Sequence, residues 1–127
     1  MLLDTQIVIW LLDDADHLGP NARRSIGAAD TVFVSAATSW EVAIKRSVGK
    51  LSAPDRFVAL VQESGLTWCP ITPEVAWSVG DVMLPHRDPF DRLLIAQARN
   101  DGLPFMTADQ VLLGADVRDV RMLDARA

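Results

Sequence analysis

The chain is poor in the groups that soft metals, disulfides and thiol catalysis require. It has one cysteine, Cys69, and two histidines, His17 and His86, in 127 residues. A lone cysteine excludes an internal disulfide, and Cys69 lies in an apolar, strand-like run, where it reads as a small buried residue rather than a nucleophile. Positive charge is also short. Against 17 Asp and Glu stand 12 Lys and Arg, a formal net charge of -5, so the composition advertises no basic face for neutralising nucleic-acid phosphates. No apolar run approaches the roughly 18 residues of a membrane span, and no signal-peptide pattern is present; the expectation is a cytosolic protein with no membrane partner. Nor does a glycine-rich phosphate loop follow the first apolar run, where Asp4-Thr5-Gln6 stands instead.

What the chain does have is hydrophobic residues, 50% of the total, enough for one domain with one core over residues 1–127. Short apolar runs alternate with helical stripes. Residues 1–3 read as a strand that meets Asp4, followed by a helix carrying Ile7, Val8, Trp10, Leu11 and Leu12. Gly19-Pro20 breaks the chain before a helix over 21–29, and the run 32–35 reads as a strand buried on both faces. A helix closed by Gly49 follows. If Ser35 caps it, Glu41 falls in its second turn; if Thr38 does, Thr38 and Glu41 form a capping box; the spacing favours Ser35. Lys45 stands four residues after Glu41, the spacing of an ordinary helical ion pair. Further on come a helix from Pro54 through Val61, a strand over 66–71, a helix through Val75, Val79 and Val82, a strand over 103–106 and a short edge strand within 117–123. The connections are too long for hairpins, so the expected architecture is α/β: three layers, with an open parallel sheet of four to five strands flanked by helices. Trp10, Trp40, Trp68 and Trp77 lie among apolar neighbours and are expected in the core or an interface rather than stacked on bases.

The chemistry centres on residues 86–98. Asp88 precedes Pro89, a pairing that starts a helix, and Asp91 lies on the same face as Leu94, Ile95 and Ala98, which turns a carboxylate inward. Asp88 and Asp91 also suit a capping arrangement at the positive end of the helix dipole. In a parallel sheet, however, four acids fall at one edge: Asp4 after the first strand, Glu41 on the helix after the second, Asp91 at a buried helix start and Asp109 after the fourth strand. Carboxylates at about 4 Å repel by roughly 4 kcal/mol at an effective dielectric near 20, so such a group takes up protons or binds a cation. Oxygen-only ligands suit Mg²⁺ or Mn²⁺ rather than Zn²⁺.

Leu2-Leu3-Asp4-Thr5, then Ser39-Trp40-Glu41-Val42-Ala43-Ile44-Lys45, then the run from Asp88 to Ala98, then Met106-Thr107-Ala108-Asp109, together resemble the PIN domain family, most of all its VapC-type toxins. The resemblance implies a PIN-like fold and an Mg²⁺- or Mn²⁺-dependent ribonuclease, with Asp4, Glu41, Asp91 and Asp109 as the acidic set. Asp4 and Asp91 would hold the metal, Glu41 a water or its proton, and Asp109 a second-metal side. It further implies RNA as substrate, a cognate antitoxin that places a basic side chain among the acids, and a homodimer, for which Trp10 and Leu11 offer the best contact. Asp88 departs from the family pattern and reads as a cap or supporting acid. Thr107 reads as bonding its own backbone or orienting a ligand, and Lys45, Arg46, Lys50, His86, Arg87 and Arg92 as surface charges or contacts to an RNA backbone. The competing readings are a PIN-fold RNA-processing nuclease outside any toxin pair, a non-catalytic phosphate binder, and an interaction module whose acids merely cap helices.

Overall fold

A computed structural model describes residues 1–13, 15–85 and 88–127. His86 and Arg87, two of the basic residues expected near the acids, lie outside the described residues.

The strands are short and apolar, and each of the first four is followed by a helix. They are β1 (Leu2–Leu3), β2 (Phe33–Ser35), β3 (Thr67–Cys69), β4 (Phe105–Thr107) and β5 (Met122–Asp124). They form one parallel sheet in the order β3-β2-β1-β4-β5. Because the chain winds outward from β1 through β2 to β3 and then returns to the other side of β1, its winding reverses between β1 and β4. That is where an open α/β sheet leaves a crevice beyond its carboxyl ends.

Among the described residues the helices are α1 (Thr5–Asp13), α2 (Pro20–Ala28), α3 (Ala36–Ser47), α4 (Phe57–Glu63), α5 (Pro73–Ser78), α6 (Pro89–Asp101) and α7 (Gln110–Leu113). Strand alternation divides the core into two layers. Leu3, Val34 and Met106, neighbours in register, pack with Ile7 and Val8 of α1, Ala22 of α2 and Phe57 and Val61 of α4. Leu2 and Phe105 face the other way, onto Leu94, Ile95 and Ala98 of α6 and Leu112 of α7. The three-layer parallel architecture is therefore as expected.

The local signals hold where capping chemistry sets them. Ser35, not Thr38, caps α3, its side chain accepting from the Ala37 amide at 3.0 Å. Asp88 caps α6 through the Phe90 amide at 2.9 Å. At the other end Gly102 stops α6 with φ 64°, a left-handed conformation that costs glycine nothing. Several details differ from expectation: the helix expected from Pro54 begins at Phe57, the strand over 66–71 shortens to Thr67–Cys69, and that over 103–106 shifts to Phe105–Thr107. The helix expected through Val82 ends at Ser78 and continues as a 3-10 turn over Val79–Asp81. The edge strand narrows to Met122–Asp124. Of the expected core or interface places, Trp40 and Trp77 do not take the core one, being 55% and 89% exposed, because the faces of α3 and α5 that carry them turn away from the sheet. Trp68 stays half-buried against Phe57, and Trp10 stacks on His17 with Arg126 over its ring. Cys69 is half-buried: its thiol donates to Asp101 and accepts from the Gln97 amide, and burial pushes its pKa up, away from thiolate chemistry.

Candidate active site

Every strand of a parallel sheet delivers its carboxyl end, and the start of the next helix, to the same edge. Backbone pairing carries β1 to its last ladder bond, from the Asp4 amide to the Met106 carbonyl at 2.9 Å; the Asp4 carbonyl then accepts from Ile7 and Val8 and opens α1. Asp109 caps α7, accepting from the Val111 and Leu112 amides. Asp88 opens α6, with Asp91 in its first turn, and Ser35 opens α3, with Glu41 further along. The amino ends of α1, α3, α6 and α7 thus gather at one edge, and their positive dipole ends favour acids there.

These acids meet. Asp4, Glu41, Asp88, Asp91 and Asp109 line one cleft of about 270 Å³, together with Thr5, Gln6, Ile9, Lys45, Lys50 and Leu51. All four acids expected to converge are in it, as is Asp88, which is both cap and cleft wall. The capping reading of Asp88 and Asp91 is correct for Asp88, with Asp91 in the first turn behind it, and Asp109, read only as an acid after a strand, proves to be a cap as well. Of the basic residues expected nearby, Lys45 and Lys50 line the cleft. Arg46 does not; it pairs with Asp55. Arg92 lies half-buried in the first turn of α6.

The cleft acids are held by threonines from three different elements, a feature that sequence reasoning missed except for Thr107. The fully buried Thr107 donates its hydroxyl to Asp4 Oδ2 at 2.6 Å and accepts from the Asp109 amide at 3.0 Å. The Thr5 amide donates to Asp4 Oδ1 at 2.8 Å. Its hydroxyl donates to Glu41 Oε1 at 2.8 Å and lies 2.9 Å from the hydroxyl of buried Thr38. With its one proton spent on Glu41, Thr5 accepts from Thr38, so a two-hydroxyl chain ends on the carboxylate. On its other oxygen Glu41 accepts from Lys45 Nζ at 2.5 Å. That hydrogen bond, chiefly, holds the Lys45 ammonium above its ordinary pKa.

Charge is the problem the cleft poses. Burial pushes the Asp4 pKa up to about 6, with Glu41 and Asp109 adding repulsion and the hydrogen bonds from Thr107 and Thr5 opposing it. Asp91 is pushed up to about 8, first by burial and then by Asp4, Asp88, Glu41 and Asp109. Among the described residues no three acids, imidazoles or thiols already stand in coordination geometry, with Asp4 drawn to Thr107 and Glu41 to Lys45. The donor chemistry nonetheless fits a hard dication. The lining acids offer oxygen alone, and two of them ionise reluctantly because they are buried and crowded by like charge.

An acid-lined cleft at the winding reversal of a parallel sheet lies where open α/β sheets bind their ligands. This chain belongs to the PIN domain family, whose model matches residues 1–117. No curated protein matches the sequence. In fold the chain is similar to a chain of VapBC2 from Rickettsia felis, crystallised bound to a DNA fragment from their promoter, with a TM-score of 0.70 at 13% identity, covering 97% of this chain and 96% of that one. It is also similar to a chain of DNA-bound VapBC from Salmonella typhimurium, with a TM-score of 0.67 at 20% identity over 97% and 96%. A chain of FitAB bound to an IR36 DNA fragment gives a TM-score of 0.65 at 17% identity over 99% and 95%. Among the described residues no helix is long and apolar enough to cross a membrane.

Proposed function

We propose that the chain is a divalent-metal-dependent endoribonuclease, a single nuclease domain that serves as the toxin of a cytoplasmic toxin-antitoxin pair. The observation that carries this reading is the meeting of Asp4, Glu41, Asp91 and Asp109, from elements up to about a hundred positions apart, in one cleft whose Asp4 and Glu41 are buried. Asp4 and Asp91 would hold Mg²⁺ or Mn²⁺, and Asp109 would serve a second-metal side. When bound, the ion supplies the positive charge that lowers the pKa of an attacking water and steadies the leaving oxygen. Glu41 orients that water or takes its proton, and Thr107 keeps Asp4 turned toward the cleft. Lys45 and Lys50 at the rim meet the RNA backbone, so that an acidic protein still presents cations where a phosphodiester enters.

Membership of the PIN domain family and likeness in fold to chains of the two-component VapBC and FitAB assemblies support an antitoxin partner. Two copies of the chain pair through α1 around the half-buried Trp10 and Leu11; sedimentation that finds only monomers at micromolar concentration contradicts this pairing.

The test is cleavage of total RNA by purified protein stripped of any partner, with Mn²⁺, with chelator, and with Asp91→Asn. Cleavage is expected with Mn²⁺ alone and is lost both with chelator and in the variant, which stays folded. Cleavage that ignores chelator and substitution overturns the proposal.

A further inference from the structure

Lys45 is more than a surface partner of Glu41. Exposed i,i+4 pairs contribute little because both ends are solvated. Here the Glu41 side chain is 8% exposed while that of Lys45 is 42% exposed, so a buried carboxylate is met by a cation that reaches in from the rim. The two oxygens of Glu41 are each engaged, one by the Thr5 hydroxyl and one by the Lys45 ammonium. The threonine is buried and fixed by Thr38; the lysine is a point charge on a flexible four-carbon stem. Lys45 also lines the same cleft as Asp4, Asp88, Asp91 and Asp109, close enough to feel the charges of Asp88 and Asp91.

Resting on the metal-dependent reading above, we propose that Lys45 is a built-in counter-cation of the cleft: its ammonium occupies Glu41 and competes with a divalent cation, which binds only as that ion pair opens. The fixed hydroxyl of Thr5 keeps Glu41 aimed while the lysine leaves, and the released ammonium stays at the rim, beside Lys50, where the substrate phosphate approaches. The cation-free fold thereby avoids leaving Glu41 as an uncompensated buried charge.

The opposite role, in which Lys45 holds Glu41 in place for the metal, predicts an effect of opposite sign, so one titration separates them. Mn²⁺ is titrated calorimetrically into the wild-type chain, Lys45→Met, Arg46→Met, Glu41→Gln and the Glu41→Gln/Lys45→Met double variant. Arg46 carries the same charge on the same helix but pairs with Asp55, which makes it the control for net charge. Lys45→Met is expected to bind Mn²⁺ roughly tenfold tighter, the order of effect of removing one unit charge from beside a dication. Arg46→Met stays near wild type, and the gain vanishes when Glu41 is already glutamine. Unchanged or weaker binding in Lys45→Met overturns the proposal, as does a gain that persists without Glu41. Lys45→Gln gives the same reading should the methionine variant fold poorly. If neither the wild type nor Lys45→Met binds Mn²⁺, the metal-dependent reading itself fails, an outcome distinct from a wild type that binds without any gain on substitution.

Discussion

Thr107 donates its hydroxyl to Asp4 Oδ2 at 2.6 Å across 103 positions of sequence. Thr107 Oγ1 also accepts from the Asp109 amide at 3.0 Å, so one buried hydroxyl at the end of β4 sets the orientation of the acid just beyond β1 and the start of α7. Thr107→Val keeps the shape and removes both bonds. We expect the fold to survive a loss of about 1–2 kcal/mol. The hydrogen bond to Thr107 lowers the Asp4 pKa, so its loss moves that pKa above about 6. NMR titration of the Asp4 carboxyl carbon and the pH profile of RNA cleavage should both shift upward; an unchanged Asp4 titration contradicts the role given to Thr107.

Asp91 destabilises the metal-free fold at high pH. Its folded pKa of about 8 lies above the ordinary carboxylate value, so its share of stability is complete below about pH 4 and is lost as pH rises through about 8. Asp91→Asn removes that loss. Allowing for its partial exposure to solvent, the variant should be more stable than wild type near pH 9 by on the order of 1–2 kcal/mol, a melting temperature higher by roughly 3–6 °C. Near pH 4 the two should melt together. Thermal melts in chelator at both pH values check this, and a variant less stable at the higher pH contradicts it.

Gly19 holds the carboxyl-terminal residues against α2. Its amide donates to the Ala125 carbonyl at 2.9 Å, and the Asn21 amide to the Ala127 carbonyl at 3.0 Å, so the chain end satisfies amides at the helix start. A Cβ on Gly19 would lie 2.3 Å from the Ala127 carbonyl carbon and 2.4 Å from the Arg126 oxygen, both backbone atoms. Gly19→Ala is expected to lower stability by about 1–3 kcal/mol, as overpacking does, with Mn²⁺ affinity unchanged. Equal melting temperatures would show that the chain end moves aside freely.

The parts of this fold that a reader of the sequence recovers are those fixed by neighbours in the chain. Asp88-Pro89 suits a helix start through its own two residues, Ser35 competes with Thr38 only through cap geometry, and the pairing of Lys45 with Glu41 follows from one turn of helix. The convergence of the acids is legible for a different reason: parallel strands can end at only one edge, and Asp4 and Asp109 lie just beyond theirs. What stays hidden depends on distant pairs. The Thr38, Thr5 and Glu41 chain joins residues more than thirty positions apart, and nothing local marks Thr5 or Thr38 as its members. The exposure of Trp40 and Trp77 depends on which helix face docks, which apolar neighbours do not reveal. The four-residue α7 is too short to show any periodicity, and only its cap, Asp109, announces it.

The most direct test of the whole account is the melting temperature of the wild-type chain as Mn²⁺ is added, at about pH 6 and about pH 8.5, beside Asp4→Asn and Asp91→Asn. Binding to the folded state alone raises stability by mass action, and protons compete for Asp4 and Asp91 at the lower pH. The account predicts a saturating rise for wild type that is larger at the higher pH, and little or none for either variant. A wild-type melting temperature that ignores Mn²⁺ at both pH values, or variants that respond as fully as wild type, contradicts it.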